Sequence, residues 1–390
     1  MQGSANGNQN STVKKRHIAL TGPRPVKFLF LTICLCGLVG VGRAQQWVPS
    51  GPVSRGDPAV VLDPATDRMI LFGGQTNGNE DAGDPGNGDF NDVWRLDKAG
   101  GGRLGWTQVK PTAPGPNKAF ASAVYDPGSN RMIVFGGTNG GCTNDTWVLT
   151  NANGNGGASA WIQLSTAGGP PPAREHQTAV YDPSSNTMTI FAGDNCFSGQ
   201  NDVWVLSNAN GEGGTPTWTQ LTPSGSSPSG NEYTTAVYDS TNKVMIVFGG
   251  FTEGVQGTDT NGVWTLSNAN GLGGAPAWTQ LSPSGTLPGP REAHVAVYDQ
   301  VNNRMTIYGG NNQNGTVYGD IWVLSDANGL GGSPAWAQIG QSLSVYPNPR
   351  YFASAVYNPN TNKMIIFGGI GSGGTYNYSE VWVLSNANGL

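Results

Sequence analysis

The chain has 390 residues, and its 60 Gly and 26 Pro approach the composition at which disorder is expected. Twelve residues each of Trp, Tyr and Phe argue against disorder, because these side chains offer a large apolar area to bury. Charged residues make up only 12% and the net charge is −5, which excludes a helix-dominated protein and a nonspecific nucleic-acid binder.

The first 44 residues differ from the remainder. They carry six basic side chains and no acidic one, and they include the apolar run FLFLTICLCGLVGVG. This run is too short to span a bilayer comfortably, and small residues stand three and one positions before Gln45. We therefore predict a signal peptide at 1–44 and a mature chain at 45–390 that is secreted, periplasmic or held at the cell surface. A retained membrane anchor is the alternative. We expect no nucleic-acid partner, membrane contact only during export, and a monomer.

An apolar run that ends in an aromatic residue and two small residues recurs six times. The aromatic positions are Phe72, Phe135, Phe191, Phe248, Tyr308 and Phe367. Their separations of 56 to 63 residues are typical of a propeller or solenoid. Each unit contains four short strand-like runs and no helical pattern. The second and third are apolar enough to be buried on both faces, whereas the fourth suits an outer strand.

The segment IIFGGIGSGGTYNYSEVWVL also contains G-x-G-x-x-G spacing at Gly369, Gly371 and Gly374. A dinucleotide site needs a helix after this loop, but here the loop leads into another apolar strand. We therefore predict that the glycine pair ends a strand at a sharp turn with positive φ, and we expect no cofactor.

The order R-x-x-H, V-Y-D, F-G-G, D-V-W and a second Trp resembles the kelch repeat over residues 45–390. This resemblance implies an all-β, six-bladed kelch β-propeller with four antiparallel strands per blade. The sequence is similar to secreted bacterial kelch proteins and to the propeller domain of galactose oxidase. Galactose oxidase activity also needs a copper–tyrosyl radical centre built largely outside the kelch repeats. The resemblance therefore extends to the fold and not to the oxidase.

Eleven Trp residues form a ladder in which Trp94 pairs with Trp106, and so on through Trp322 with Trp336. Trp382 has no later partner, and the twelfth Trp, Trp47, has no earlier one. We predict that an N-terminal strand containing Trp47 completes the sixth blade and closes the ring, which hides two sheet edges. The recurring S-N-A-N-G segments are interpreted only as hairpin loops.

One residue precedes each innermost strand, and five of these six residues are cationic. They are Arg55, Lys118, Arg174, Asn231, Arg291 and Arg350. In related kelch propellers this position lies near the mouth of the central channel, so one hypothesis is a pocket for a carboxylate or another anion. The alternative is that the cations cross-link neighbouring blades, assisted by Glu175, Glu232 and Glu292.

Two residues after the cationic positions stand further ligand-binding candidates. They are Phe120, His176, Tyr233 and Phe352. Aromatic side chains at one mouth can stack on sugar rings or on peptide side chains. Packing between the inner strands is the alternative.

Cys142 and Cys196 occupy equivalent loops of successive units, which favours a disulfide in an exported protein; two free thiols are the alternative. The acidic loop before the third strand of unit one offers a weak calcium candidate at Asp81, Asp84 and Asp89, against the simpler interpretation of a solvated loop. His176 and His294 alone make a poor metal site.

Three functions are compatible with these patterns. The first is an exported binding or interaction module for a protein or glycan at the propeller mouth and loops. The second is an enzyme that processes a sugar acid, such as an epimerase, for which Glu175, His176, Glu292 and His294 are the obvious acid and base groups. The third is a structural surface protein without a ligand.

Overall fold

The computed structural model describes residues 51–76, 88–228, 231–253, 257–341, 343–374 and 377–390. All of them belong to the compact unit Val48–Leu390. They form the predicted six-bladed β-propeller and contain strands and turns but no helix. None of these segments is therefore a helix long and apolar enough to cross a membrane. The signal segment and the Trp47 strand lie outside the described residues, so both stay predictions.

The strands follow the chain blade by blade. Blade 1 contains β1 (Ala59–Asp63), β2 (Arg68–Phe72), β3 (Val93–Asp97) and β4 (Gly105–Val109). Blade 2 contains β5 (Ser122–Asp126), β6 (Arg131–Phe135), β7 (Thr146–Thr150) and β8 (Ala160–Gln163). Blade 3 contains β9 (Thr178–Asp182), β10 (Thr187–Phe191), β11 (Val203–Ser207) and β12 (Thr217–Leu221). Blade 4 contains β14 (Thr235–Asp239), β15 (Val244–Phe248), β18 (Val263–Ser267) and β19 (Ala277–Leu281), with a small extension of β13 (Asn231–Glu232), β16 (Phe251–Thr252) and β17 (Thr258–Asp259). Blade 5 contains β20 (Val295–Asp299), β21 (Arg304–Tyr308), β22 (Ile321–Ser325) and β23 (Ala335–Ile339). Blade 6 contributes β24 (Tyr351–Asn358), β25 (Lys363–Ile370) and β26 (Val381–Ser385).

Each blade is a meander in which consecutive strands pair antiparallel from the innermost to the outermost position. The second strands are buried on both faces, as predicted from their apolar sequences; β10 and β15 are buried at every residue. Outer strands such as β12 bury their Trp and expose the two residues that follow it. The core is therefore a stack of sheet faces between neighbouring blades rather than one central cluster.

The glycine pairs have positive φ and follow the second strands, as predicted, except that β25 in blade 6 continues through Gly368 and Gly369 to Ile370. Gly73 and Gly74 have φ of 69° and 92°. A Cβ on Gly73 would lie 2.3 Å from the carbonyl oxygen of Lys118 in the next blade, so glycine also permits a close backbone approach. The Gly74 N–H donates to that same carbonyl at 2.9 Å. Gly369 makes the equivalent bond to the Arg55 carbonyl at 3.2 Å, which joins blade 6 to blade 1.

The Trp ladder runs between blades and not within them, which corrects the pairing inferred from the sequence. In blade 1, Trp106 lies opposite Leu96, and Trp94 lies opposite Gln108. Each outer-strand Trp instead packs on the second-strand aromatic of the preceding blade. The ring centroids are 4.6 Å apart for Phe72–Trp161, 4.9 Å for Phe135–Trp218 and for Phe191–Trp278, 5.1 Å for Phe248–Trp336 and 5.4 Å for Phe367–Trp106.

The S-N-A-N-G segments hold neighbouring blades together, a role that the hairpin interpretation missed. The fourth residue of each segment is Asn, also in the S-D-A-N-G variant of blade 5, and it donates from Nδ2 to the buried Asp that ends the inner strand of the preceding blade. The distances are 2.6 Å for Asn153–Asp63, 2.7 Å for Asn210–Asp126, 2.8 Å for Asn270–Asp182, 2.7 Å for Asn328–Asp239 and 2.6 Å for Asn388–Asp299. Burial opposes ionisation of Asp299, but hydrogen bonds from Asn302 and Asn388 hold its pKa below the usual value.

We predict that Asn328→Ala lowers the free energy of unfolding by roughly 1–3 kcal/mol, because it removes a buried hydrogen bond and leaves an acceptor of Asp239 without its donor. Urea denaturation followed by Trp fluorescence measures this loss. Asn314→Ala is the matched control, since Asn314 is exposed in the same blade. Equal stability of the two variants would contradict a role for the Asn–Asp bond in joining blades.

Candidate functional site

Six equivalent residues, one from each blade, surround the channel where the inner strands start; five precede their strand, and Phe352 is the second residue of β24. They are Asp57, Phe120, His176, Tyr233, Ala293 and Phe352, all with φ between 45° and 56°. Backbone hydrogen bonds connect them around the axis: Asp57 N–H donates to Phe352 at 2.8 Å, and Phe352 N–H donates to Ala293 at 3.0 Å. Positive φ is rare for residues other than glycine, above all for bulky ones, so the backbone is strained at these positions.

The four aromatic members of this ring pack against one another, and together they are named the plug: Phe120, His176, Tyr233 and Phe352. The ring centroids of His176 lie 4.3 Å from those of both Phe120 and Tyr233. Phe352 lies 5.4 Å from Tyr233, 5.7 Å from His176 and 5.9 Å from Phe120. The structure therefore brings together all four aromatic residues that the sequence singled out.

Two cavities share the plug as a wall. The outer one has a volume of about 320 Å³ and is completed by Gly56, Gln75, Glu175 and Ile370. The inner one has a volume of about 130 Å³ and contains the polar side chains of Asp57, Gln177, Thr234, Thr235 and His294. The plug thus lines both cavities, and the smaller one is the more polar of the two.

Three buried polar atoms of the inner cavity's lining residues have no hydrogen-bond partner among the described residues: His176 Nε2, Gln177 Oε1 and His294 Nδ1. The other polar atom of each residue is already bonded. His176 Nδ1 lies 3.1 Å from Asp194 Oδ2, Gln177 Nε2 donates to the Phe135 carbonyl at 2.8 Å, and His294 Nε2 lies 2.7 Å from Thr235 Oγ1. Buried polar atoms without partners are uncommon. These three have almost no accessible surface, so they lie behind the surface of the cavity.

The electrostatics of the site follow from burial. Burial raises the pKa of Asp57 to about 6, against the opposing charge of His176. Burial also lowers the pKa of His294 to about 3, helped by the positive charge of Arg291, so His294 is neutral at physiological pH.

Acidic side chains gather at the mouth in blades 3 to 5. Burial raises the pKa of Glu232 well above the usual value, and its hydrogen bond with Glu253 and the charge of Asp194 act in the same direction. Burial together with the charge of Asp259 raises the pKa of Glu292 to about 7, against a hydrogen bond from Asn311 and the charge of His176. The mouth therefore has a sector rich in carboxyl groups, named the acidic sector, in which Glu232 and Glu292 are partly protonated at neutral pH.

The five cations proposed from the sequence lie in buried ion pairs. Arg55, Arg174, Arg291 and Arg350 are 0% exposed and Lys118 is 2% exposed. Each pairs with the acid two residues before the third-strand Trp of its own blade, and that Trp donates its indole N–H to the same acid. The pairs are Arg55–Asp92, Lys118–Asp145, Arg174–Asp202, Arg291–Asp320 and Arg350–Glu380, at 2.5 to 2.7 Å.

Each arginine has further contacts that account for its remaining surface. Arg174 donates from both terminal nitrogens to Asp202 and from Nη1 to the Ala192 carbonyl at 3.1 Å. The guanidinium carbons of Arg55, Arg291 and Arg350 stack 3.9 to 4.1 Å from the ring centroids of Phe90, Tyr318 and Tyr378. Each of these side chains connects the segment before the first strand of a blade to the start of the third strand of the same blade. The expected side-chain cross-link to the neighbouring blade through the adjacent glutamates is not the arrangement found.

A signal for these pairs was present in the sequence. The acid of the repeated D-x-W pattern stands in the five units that have a cation. Blade 4 has Asn231 at the cation position and Gly262 at the acid position, so it lacks both partners. This joint absence identifies the D-x-W acid, and not the glutamate after the cation, as the partner.

Cys142 and Cys196 form a disulfide, as predicted, with Cα atoms 5.9 Å apart. It joins the loop before β7 to the loop before β11, and both lie at the mouth. Cys142, Glu175, Asp194 and Cys196 have potential ligand atoms within 4.8 Å of one another, but sulfurs joined in a disulfide are not thiolate ligands. Asp81 and Asp84 lie outside the described residues, so the calcium hypothesis is still a prediction, and Asp89 alone cannot test it.

The acid and base candidates lie at different depths. His176 Nδ1 is 3.8 Å from Glu175 Oε1, which could hold the two groups in one proton-transfer pair. His294 bonds Thr235 in the inner cavity, and Glu292 bonds Asn311 at 3.1 Å in the acidic sector. The same region therefore supplies binding groups and titratable groups.

Comparison with known proteins identifies the repeats. The profile of the KLHDC2/KLHL20/DRC7 Kelch-repeats domain matches residues 43–212, 152–272 and 274–388. Host cell factor 2 of Homo sapiens is 32% identical over 132 residues, which are 32% of this chain and 16% of that protein. The flagellar outer arm dynein alpha chain of Chlamydomonas reinhardtii is 31% identical over 146 residues, which are 36% of this chain and 3% of that protein.

A third relative and a solved structure agree with this match. The Rho GTPase-activating protein gacHH of Dictyostelium discoideum is 31% identical over 130 residues, which are 33% of this chain and 7% of that protein. The matched region therefore spans less than a fifth of each of these three relatives. The solved structure of YjhT superposes with a TM-score of 0.59 at 15% identity, covering 87% of this chain and 97% of that one, which shows a shared fold.

We predict that Arg174→Ala lowers the free energy of unfolding by about 3 kcal/mol, because it leaves the Asp202 carboxylate without its partner. The estimate takes the low end for buried pairs, since the Asp202 side chain retains 19% exposure. Arg103→Ala is the control, because Arg103 is exposed. Thermal and urea unfolding compare the two variants, and an unchanged stability of Arg174→Ala would show that the ion pair is dispensable.

We also predict that replacing both Cys142 and Cys196 by Ser lowers the free energy of unfolding by about 4 kcal/mol, since the bridge closes a loop with a sequence separation of 54. Peptide mapping of the unreduced protein by mass spectrometry should find the Cys142–Cys196 crosslinked peptide. Recovery of the two peptides as free thiols from an oxidising compartment would contradict the bridge.

Proposed function

The chain belongs to the kelch-repeat family, and we propose that it serves as an extracellular binding module that recognises a protein partner at the mouth of its propeller. The recognition surface would consist of the plug, the acidic sector and the loops that join each second strand to the third. The observation that carries this proposal is a difference in sequence between the two ends of the same six repeats.

The end of the propeller opposite the mouth is nearly uniform. Inner strands end there in Asp at five of six positions, and the S-N-A-N-G type segments supply the Asn that bonds this Asp. The mouth loops share no such pattern: the segments TNGGCTN, DNCFSGQN and NNQNGTVYG occupy equivalent places. A scaffold that keeps one end uniform and varies the other carries its specific contacts on the varied end.

Phe197 is the most prominent feature of these loops. Its surface is 93% exposed, and it follows Cys196, whose bridge to Cys142 holds the loop. An exposed aromatic on a braced loop presents a large contact area with little entropy to lose on binding. Aromatic residues with this presentation are typical anchors of protein interfaces.

The relatives support binding in preference to a shared reaction. A motor chain and a GTPase-activating protein carry the similar segment as a small part of their length. These names denote unrelated activities. A contact surface therefore explains the shared segment more simply than a shared catalytic step does. The separate hypothesis of an anion pocket needed free cations at the mouth, but all five cations are paired with carboxylates.

An extracellular location is supported by two features. The disulfide is consistent with an extracellular protein, because such bonds persist in oxidising compartments. The basic and apolar composition of residues 1–44 is typical of an export signal.

We predict that a photo-crosslinking amino acid at position 197 yields a discrete protein adduct, whereas the same amino acid at position 301 yields none. Val301 is the matched control, because it is 88% exposed on the opposite end of the propeller. Once the adduct is identified, Phe197→Ala should weaken binding of the purified partner at least tenfold and Val301→Ala should leave it unchanged, by isothermal titration calorimetry. Both variants should melt like the wild type.

Three results would reject a mouth-binding protein module. The first is equal crosslinking at positions 197 and 301. The second is a purified adduct partner that binds Phe197→Ala as tightly as the wild type. The third is a glycan array in which neutral sugars bind in the absence of any protein partner.

A further inference from the structure

The outer edge of blade 6 is the one place among the described residues where a blade lacks its fourth strand. Blades 1 to 5 each contain four paired strands, whereas the sheet of blade 6 ends at β26. The backbone groups on the open side of β26 therefore have no ladder partner within the described part of the chain. An open strand edge of this kind is a template on which another strand can pair.

The side chains of β26 show what this edge lacks. In the other five blades the fourth residue of the third strand is a leucine that is 0% exposed, and it lies opposite the outer-strand Trp. These leucines are Leu96, Leu149, Leu206, Leu266 and Leu324. The equivalent Leu384 is only partly buried. An outer strand with a large apolar side chain opposite Leu384 would complete its burial.

A groove of about 280 Å³ lies beside Leu384, and its walls include Trp382 of blade 6 and Tyr308 of blade 5. Tyr308 is the second-strand aromatic of its blade. In the other five junctions the equivalent aromatic packs on the outer-strand Trp of the following blade. The groove is therefore the sixth copy of a site that holds an indole ring in the other five.

The segment that follows β23 extends this groove with apolar side chains. Leu343 is 41% exposed, Val345 is 69% exposed and Tyr346 is 60% exposed, and all three line the groove. The segments at the same place after β12 and β19 begin TPSGSS and SPSGTL, and they consist mostly of Ser, Gly, Pro and Thr. An exposed apolar patch beside an open strand edge is typical of a surface that binds another chain.

The sequence before blade 1 does not supply the Trp that fits this groove. At five junctions a glycine packs against the outer-strand Trp of the next blade: Gly51 on Trp106, Gly115 on Trp161, Gly168 on Trp218, Gly225 on Trp278 and Gly285 on Trp336. In blades 1 to 4 the outer-strand Trp stands seven or nine residues before this glycine, whereas Trp47 stands only four before Gly51.

The same spacings counted back from Gly51 reach Ala44 or Gly42, which are too small to fill the groove. Trp47 is offset from both by an odd number of residues, and such residues point to opposite faces of a strand. A strand formed by this segment in the common register would therefore leave the groove without an aromatic side chain.

We propose that the groove on β26 binds an extended segment of a partner protein, which adds the fourth strand of blade 6 and places a Trp side chain against Tyr308 and Leu384. Backbone pairing supplies affinity in strand addition, and side-chain pockets supply specificity. The outer strands of blades 1 to 5 show which pattern fits, since all contain W-x-Q: GWTQV, AWIQ, TWTQL, AWTQL and AWAQI. The groove contains no residue of the plug or the acidic sector, so this site is independent of the mouth interface.

The probe is a labelled peptide with the sequence of residues 275–283, APAWTQLSP, because it contains the outer strand of blade 4. In fluorescence polarisation it should bind the full chain at least tenfold more tightly than the same peptide with Ala in place of Trp. N-methylation of the peptide's Thr should weaken binding at least tenfold. In blade 4 the Trp278 N–H donates away from the third strand, to Ser224, so the Thr279 N–H is the one that faces the third strand. Absence of binding, or equal binding by the Ala peptide, would overturn the proposal.

Val345→Asp tests where the peptide binds, since Val345 lines the groove and is exposed enough for the fold to tolerate Asp. It should weaken peptide binding at least fivefold and leave the melting temperature within a few degrees. Val301→Asp is the matched control, because Val301 is 88% exposed and lies outside the groove. Equal binding by these two variants would reject the groove. Phe197→Ala should bind the peptide like the wild type, so failure of the mouth interface would leave this site standing.

Two other occupants of the groove give different results. If Trp47 of the same chain filled it, Trp47→Ala would raise the peptide's affinity severalfold, whereas an unchanged affinity supports a partner strand. If a second copy of the chain filled it, analytical ultracentrifugation would show a dimer that the peptide dissociates, whereas a monomer with and without peptide supports the proposal. A raised affinity or a peptide-sensitive dimer would overturn the assignment to a partner protein.

Discussion

The fold depends on joining each blade to the next at both ends of its inner strand. A blade is a four-stranded meander whose two faces are apolar, and one such sheet alone has no core. At the mouth end, the second glycine of one blade donates to the backbone carbonyl of the cationic residue in the next. At the other end, an Asn of one blade donates to the Asp of the previous blade. Both bonds are buried in water-poor surroundings, where leaving either partner unsatisfied is costly.

The two ends use these bonds differently. At the mouth the side chain of the cation stays in its own blade, paired with the D-x-W acid, while its carbonyl reaches the neighbour. One residue therefore fixes the shape of its blade and the position of the next one. At the opposite end the side chains of Asn and Asp themselves form the link. Because the scaffold uses the cation in this way, the cation's charge is not available at the mouth. The ionisable groups that remain there include the carboxyl groups of blades 3 to 5, and burial keeps Glu232 and Glu292 partly protonated at neutral pH.

The junction between blade 6 and blade 1 departs from the Asn-to-Asp hydrogen bond that joins the other blades, and both residues of that bond are changed. Where five blades have an acceptor Asp, blade 6 has Asn358, and where five have a donor Asn, blade 1 has Gly100. Asn358 becomes the donor and bonds Asp67 Oδ1 at 2.7 Å, and the Gly100 N–H bonds the same oxygen at 2.9 Å. The bond thus reverses its direction where the chain closes on itself. Such a reversal distinguishes the closing junction from the others and opposes slippage of the blades by one repeat.

Much of this architecture could be predicted from the sequence, and the missing parts have physical reasons. The period near 60 residues and the alternation of strand patterns predict six blades, and the glycine pairs predict the turns. The acid that pairs with each cation was harder to predict from the sequence, because Glu175 is adjacent to Arg174 in the chain whereas Asp202 is its partner in space. Periodicity shows which positions are equivalent but not which of them meet across a turn. The unpartnered atoms of His176, Gln177 and His294 depend on three-dimensional packing, which no local pattern contains.

The six channel positions show where the scaffold leaves room for function. All have positive φ, a conformation that costs other residues of order 1 kcal/mol and costs glycine almost nothing. The chain uses glycine at such φ in most of its strand-end pairs, yet none of the six channel positions is glycine. A side chain is therefore kept at each position despite strain, and its identity changes from blade to blade: Asp57, three aromatic carbocycles, His176 and Ala293. The repeated scaffold fixes where these side chains point, and only their differences can give the channel a specificity.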